Sequence, residues 1–142
     1  CFIQPDHELL IKRSLVDYET LLTIYDNADI ALHIESFEMI HREKTRLSFS
    51  TKIVDCLQSG CAVLAIGPSE NAGIRFLNEE QAALCLMDGD LIDLESNILE
   101  IIKFHDDYQR MALRCLMNKF SAEKNKEKIE NDFRCVIEEY QK

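Results

Sequence analysis

The sequence predicts an α/β domain built on a parallel sheet, with helices against its faces and a helical carboxyl-terminal tail. Three observations lead there. The run Ala62 to Ile66 is wholly apolar and closes on Gly67 and Pro68, the pattern of a strand covered on both faces. Strand-length apolar runs alternate with stretches of helical periodicity, and parallel strands need such crossovers between them. After Gly89 the strand-like runs stop and only helical spacing continues.

In chain order, Glu8 to Lys12 is a short apolar run of strand type. Asp17 stands where a helix N-cap belongs, and Tyr18, Leu21, Leu22 and Tyr25 repeat at i, i+3, i+4 and i+7, so a helix is expected to end near Asn27. Asp29 to Ile34, DIALHI, has strand length and apolarity. The polar segment ESFEMIHREKTR that follows reads as a loop. Next comes LSFSTKIVDCLQSGCAVLAIGP, residues 47–68, in which Ser50 can cap a helix carrying Ile53, Val54 and Leu57 on one face. Gly60 suits the left-handed residue just past that helix. A short helix around Ala72 to Leu77 and a strand at Ala83 to Leu86 complete the alternation. Asp93 then begins a helix with Leu94, Ile98, Ile101 and Ile102. Tyr108, Met111, Ala112 and Cys115 mark another, and Ile129, Phe133, Val136, Ile137 and Tyr140 a last one.

The whole chain bounds what this domain does. Its 142 residues suit one domain with a real core, and 46% hydrophobic with 30% charged residues exclude disorder and fibrous classes. Acidic residues outnumber basic ones 26 to 16, a formal net charge of -10 that repels polyanions, so nucleic acid is not an expected partner. No apolar run reaches the length of a membrane span, and the first residues lack the basic start and apolar core of a secretory signal. A cytoplasmic place, or a peripheral one at the membrane, is expected. The six cysteines show neither CxxC pairs nor zinc-site spacing, which favours reduced thiols over a disulfide framework and predicts no metal. The charge-rich SAEKNKEKIENDF mixes signs at i, i+4 spacing, as a solvated helix face does. No repeat or low-complexity linker marks a second domain.

Ligands of parallel α/β sheets sit outside the carboxyl ends of the strands. The segment from Glu35 to Phe49 and the turn from Gly67 to Asn71 therefore lie on the functional edge. Lys52 also lies there, in the first turn of a helix, where the backbone dipole disfavours a cation unless an anion arrives. Ser50 and Thr51 add hydroxyls beside it, and Arg46 a second charge, so the group reads as a phosphate site. Asp55, one turn on, can accept hydrogen bonds from sugar hydroxyls. Phosphate beside sugar points to a nucleotide.

Plainer readings compete with each of these. Lys52 and Asp55 stand at i, i+3 and can pair with each other on the surface, while Ser50 and Thr51 can be caps and nothing more. Spacing by itself favours that version slightly. His33, on an apolar strand, is more often a satisfied core histidine than a ligand, although its place at the strand's carboxyl end raises the odds. Loop carboxylates such as Glu35 and Glu38 are usually solvated. Gly67 and Pro68 read as a turn whose backbone N–H can also touch a ligand, and His7, His41 and His105 carry no usable signal.

The order of the motifs adds a further reading. A helix precedes ADIALHIESFE, and SFSTKIVDCLQSGCAVLAIGP follows. This succession resembles the carboxyl-terminal, nucleotide-sugar-binding half of a GT-B glycosyltransferase of the large retaining class often called family four, above all the branch with an HxES segment followed by R-x-S-x-STKI. The resemblance covers roughly Leu9 to Phe120. It implies a Rossmann-like sheet, a nucleotide-diphosphate sugar as donor substrate, no resident cofactor or metal, and an acceptor such as a glycan or a lipid-linked sugar. It places Asp55 at the donor ribose. Ser50, Thr51 and Lys52 then face the diphosphate, with Arg46 beside them as a second charge. Glu38, Glu35 and Ser36 fall on the acidic loop near the donor sugar, and Lys52, Arg46 and Glu38 are the expected catalytic groups.

Such enzymes carry a second, amino-terminal domain for the acceptor, and first strands of the donor domain that this sequence does not contain. The resemblance thus implies a partial domain of a larger enzyme, inactive alone, whose missing domain is its partner. Two rivals come from other classes: a non-catalytic α/β protein-interaction module, and a phosphate-binding regulatory domain indifferent to base and ribose.

Overall fold

The computed structural model describes residues 11, 14–88 and 90–140. The strand expected over Glu8 to Lys12 lies outside the described residues apart from Ile11, as do Cys1, His7, Gly89 and the side chains of Val136 and Tyr140. Three strands, β1 (Ile30–Ile34), β2 (Ala62–Ile66) and β3 (Leu84–Leu86), form one parallel sheet in the order β1-β2-β3. Ile30 stands opposite Ala62 and Ile34 opposite Ile66, while Leu64 faces Leu84 on the other side. β2 is central, and its residues Ala62 to Leu64 are buried on both faces, as an unbroken apolar run requires.

Helices connect and cover the strands. α1 (Tyr18–Tyr25) begins at Asp17, whose carboxylate accepts from the Thr20 N–H at 2.8 Å. α3 (Lys52–Gln58) ends through Gly60 at φ +77°, the left-handed conformation that glycine adopts without a steric penalty. α4 (Ala72–Glu79) begins at the buried Asn71, whose Oδ1 accepts from the N–H groups of Gly73 and Ile74 at 2.9 and 3.1 Å. After a 3-10 turn (Asp90–Asp93) come α5 (Leu94–Lys103), α6 (His105–Lys119) and α7 (Ala122–Tyr140).

One face of the sheet is sealed. Ala31, Val63 and Ala65 pack there against Ile53 and Leu57 of α3, Ile74 and Leu77 of α4, and Ala112 and Cys115 of α6. The other face holds a smaller cluster of Ala62, Leu64, Leu86 and Ile101 of α5, joined by Tyr108 of α6. On that face β1 leaves Leu32 and Ile34 more than half exposed. α7 keeps Ile129, Phe133 and Ile137 exposed, and its Lys126–Glu130 pair at 3.9 Å belongs to a solvated face.

Three sequence expectations need correction. Residues 35–46 are not all loop, because α2 (Met39–Thr45) lies within them. α2 buries no side chain, so it has no apolar stripe to read; long-range bonds hold it instead. Arg42 bonds Glu70 at 2.6 Å and reaches Asp88 at 3.4 Å, Asn71 Nδ2 donates to the Thr45 carbonyl, and the Ala72 N–H donates to that of Arg46. Secondly, α3 is flanked by Thr51 rather than Ser50, in helical backbone geometry and with no side-chain cap bond. Asp93 likewise precedes α5 without a capping bond.

The fold is thus α/β: a three-stranded parallel sheet flanked by helices, Rossmann-like in layout, with a carboxyl-terminal helix. Cys56, Cys61, Cys85, Cys115 and Cys135 are all free thiols. Among the described residues no helix is long and apolar enough to cross a membrane.

Candidate functional site

The carboxyl end of β1 and the first turn of α3 border an open-sided cavity of about 460 Å³. Its polar walls are His33, Glu35, Ser50, Lys52 and Asp55; Tyr25, Leu32, Ile34 and Cys56 complete it. Leu32 and Ile34 alternate with His33 along the strand and so point to the opposite face. The cavity therefore wraps the outer edge of β1.

Glu35 is placed by the sheet. Its N–H donates to the Ile66 carbonyl at 2.8 Å, continuing the ladder one residue past β1. Gly67 makes this close approach feasible: a Cβ there would stand 2.8 Å from the Glu35 Cβ and 2.9 Å from the Ile74 Cγ1. No larger residue fits without moving Glu35 or the core beneath it.

His33 lies beside it on the sealed face, only 4% exposed. Its Nε2 is 3.3 Å from Glu35 Oε1, within ion-pair range, yet the direction does not suit a hydrogen bond and the buried nitrogen has no other partner. Burial lowers the imidazole pKa; the Glu35 carboxylate opposes that shift, and the Lys52 charge adds to it. The ring is therefore neutral at pH 7. An unsatisfied buried polar atom costs roughly 1–3 kcal/mol, which makes His33 an expensive choice for a position that a leucine would fill.

Lys52 is the first residue of α3 and exposed, and among the described residues its ammonium makes no ion pair. The i, i+3 pair with Asp55 that spacing allows is absent, and Asp55 likewise has no ion-pair partner there. The N–H groups of Ile53 and Val54 donate to the carbonyls of Ser50 and Thr51. Anion attraction at this turn therefore rests on the Lys52 charge and the Ser50 hydroxyl more than on free helix amides.

Of the residues singled out from sequence, the structure brings His33, Glu35, Ser50, Lys52 and Asp55 into one cavity. Ser36, Glu38, Arg46 and Thr51 stand outside its walls. Ser36 Oγ accepts from the Glu38 N–H at 3.2 Å. The Glu38 carboxylate is exposed and 3.6 Å from His41. Arg46 lines a separate surface notch with Glu43, Lys44 and Leu47, and Thr51 flanks α3 without facing the cavity. Tyr25 and Cys56 join the walls with no sequence signal beyond core periodicity. His33 had one: a polar ring at the end of an apolar strand.

The arrangement combines a cation with no ion-pair partner among the described residues, the hydroxyls of Ser50 and Tyr25, two carboxylates and a neutral imidazole. Among the described residues no group of three or more His, Cys, Asp or Glu side chains could hold a metal ion. No protein-family model, curated protein or solved structure matches the chain.

Proposed function

We propose that this cavity receives the diphosphate and neighbouring sugar hydroxyls of a nucleotide-diphosphate sugar, and that the chain supplies the donor-binding part of a glycosyltransferase. The observation that carries the reading is the Lys52 ammonium, without an ion-pair partner among the described residues, in the same walls as the Glu35 and Asp55 carboxylates. A bare polyanion would be repelled by the two carboxylates, and a neutral sugar would leave the lysine without a partner. A ligand with both a phosphate and hydroxyl donors satisfies all three. The cavity volume falls within the roughly 300–1,000 Å³ of small-ligand sites. In transfer of the sugar, a fixed cation beside the departing diphosphate stabilises the charge that develops there. The motif order that resembles family-four enzymes supports the same assignment.

The test is an amide NMR titration with uridine, guanosine and thymidine diphosphates, following Ser50 to Asp55. Saturable shifts that free nucleosides do not produce are expected, and Lys52→Ala should weaken them about tenfold or more, as loss of a charge-assisted contact does. Absence of any shift at millimolar diphosphate would overturn the reading. If inorganic phosphate competes as well as the diphosphates do, the phosphate-binding regulatory domain is the better account. The interaction-module alternative draws on a different observation, the exposed stripe of Ile129, Phe133 and Ile137 on α7.

A further inference from the structure

The donor-site reading leaves one feature without a purpose. His33 is buried and neutral, and it carries a ring nitrogen that no hydrogen bond satisfies. Orphaned buried polar atoms are rare in folded proteins, and each calls for an explanation in terms of what completes it. Here Glu35 Oε1 lies 3.3 Å away without making a hydrogen bond, on a side chain that is itself 18% exposed in the cavity wall. The backbone of Glu35 is pinned by the Ile66 carbonyl and by the close approach of Gly67, so the carboxylate adjusts mainly by rotating about its side-chain bonds.

We propose that His33 is a positioning residue for Glu35: its Nε2–H holds one carboxylate oxygen so that the other is presented to hydroxyl groups of the ligand. This rests on the donor-site reading and adds to it which part of the ligand the pair reads. The other charged or titratable groups around the cavity are Lys52, Asp55, Tyr25 and Cys56. Lys52 attracts the phosphate, and a carboxylate nearby is repelled by that phosphate, so a donor that fixes its direction keeps it turned toward hydroxyl groups instead. A neutral imidazole supplies that donor without adding a cation that would compete with Lys52. His33 thus sets the geometry of a contact it does not itself make.

The experiment compares, on the full chain, dissociation constants for a nucleoside diphosphate and for the same diphosphate carrying glucose or mannose. Wild type, His33→Leu, His33→Gln, Glu35→Gln and the His33→Leu/Glu35→Gln double variant are measured with the uridine, guanosine and thymidine series. Positioning predicts that His33→Leu weakens the sugar nucleotide about tenfold more than the diphosphate, the size expected for one hydrogen bond to a charged group. His33→Gln, which keeps an N–H near Nε2, recovers most of that loss, and the double variant is no weaker than Glu35→Gln alone. Equal weakening of both ligands, or additive losses in the double variant, would overturn the proposal.

A second readout does not depend on nucleotide binding. Imidazole ¹⁵N spectra should place the proton on Nε2 in wild type and show a shifted Nε2–H resonance in Glu35→Gln. A spectrum unchanged by Glu35→Gln overturns the proposal even where nucleotides bind. If wild type binds no diphosphate while the ¹⁵N shift appears, the donor-site reading fails and the His33–Glu35 pairing stands.

Discussion

The two faces of one strand, β1, have opposite fates. Toward α3 and α4 it presents Ala31 and His33, both at 4% exposure, in a cluster where Ile53, Leu57, Ile74 and Leu77 have no exposed surface. Toward α5 it presents Leu32 and Ile34, both more than half exposed. Alternation along a strand makes such a division simple, yet here the usual sense is inverted, with a polar histidine inside and large aliphatic residues outside. In β1 the sealed face thus carries the tight packing and the polar geometry of the site, while the open face adds only the half-exposed apolar walls of Leu32 and Ile34.

Substitution at matched leucines gives the largest separation. Leu57→Ala on the sealed side should lower the free energy of unfolding by about 2–5 kcal/mol, the usual cost of emptying a packed position, whereas Leu32→Ala should cost under about 1 kcal/mol. Urea denaturation of the two variants measures this directly. Similar midpoints would mean that the open face is covered in solution and the contrast is broken.

Gly67→Ala probes the boundary between core and cavity. The added methyl must displace either the Glu35 Cβ or the Ile74 side chain, and a loss of about 1–3 kcal/mol is expected for such overpacking. Ile74 is fully buried and cannot give way readily, so Glu35 should move and diphosphate-sugar affinity should fall along with stability. A variant as stable as wild type with unchanged affinity would show that the close approach relaxes freely.

The smallest effect is a difference in pH dependence between an inner and an outer histidine. The His33 pKa is depressed below 6.5 by burial, so the unfolded chain takes up a proton more readily, and stability falls as pH drops through about 6.5. His105 shifts the other way: Asp106 and the Asp29 carbonyl raise its pKa, and the stability it adds is present below 6.5 and fades as pH rises through the folded value. Between pH 7.5 and 5.5, His33→Gln should therefore flatten the loss of stability on acidification and His105→Gln should steepen it. Thermal midpoints at several pH values decide the matter, and slopes that change in the same direction would contradict the assignment.

Where local chemistry decides the structure, the sequence is legible. Asp17, the apolar run of β2 and the left-handed Gly60 each act within a few residues, and each element appears where its signal stands. α2 is illegible for the opposite reason, since Arg42, Thr45 and Arg46 find their partners near residues 70, 71, 72 and 88. The α4 end is similar, because Gln81 takes φ +51° where a glycine would have announced the turn. In the site, Lys52 and Asp55 are conspicuous by spacing. The pairing of His33 with Glu35 depends on how a strand end meets Gly67, a contact 32 residues away along the chain, and no local pattern encodes it.

The distribution of free thiols gives the molecule a selective point of chemical attachment. Cys56 and Cys85 are held as unreactive thiols, with pKa values pushed up to about 11 and about 12 by burial, and Cys115 is buried and shifted in the same direction. Cys135, on the exposed helix α7, is open to solvent. With Cys1 changed to serine, a maleimide dye at neutral pH should therefore attach at Cys135 first. Its fluorescence would report what approaches the carboxyl-terminal helix while the sheet and the cavity remain chemically untouched.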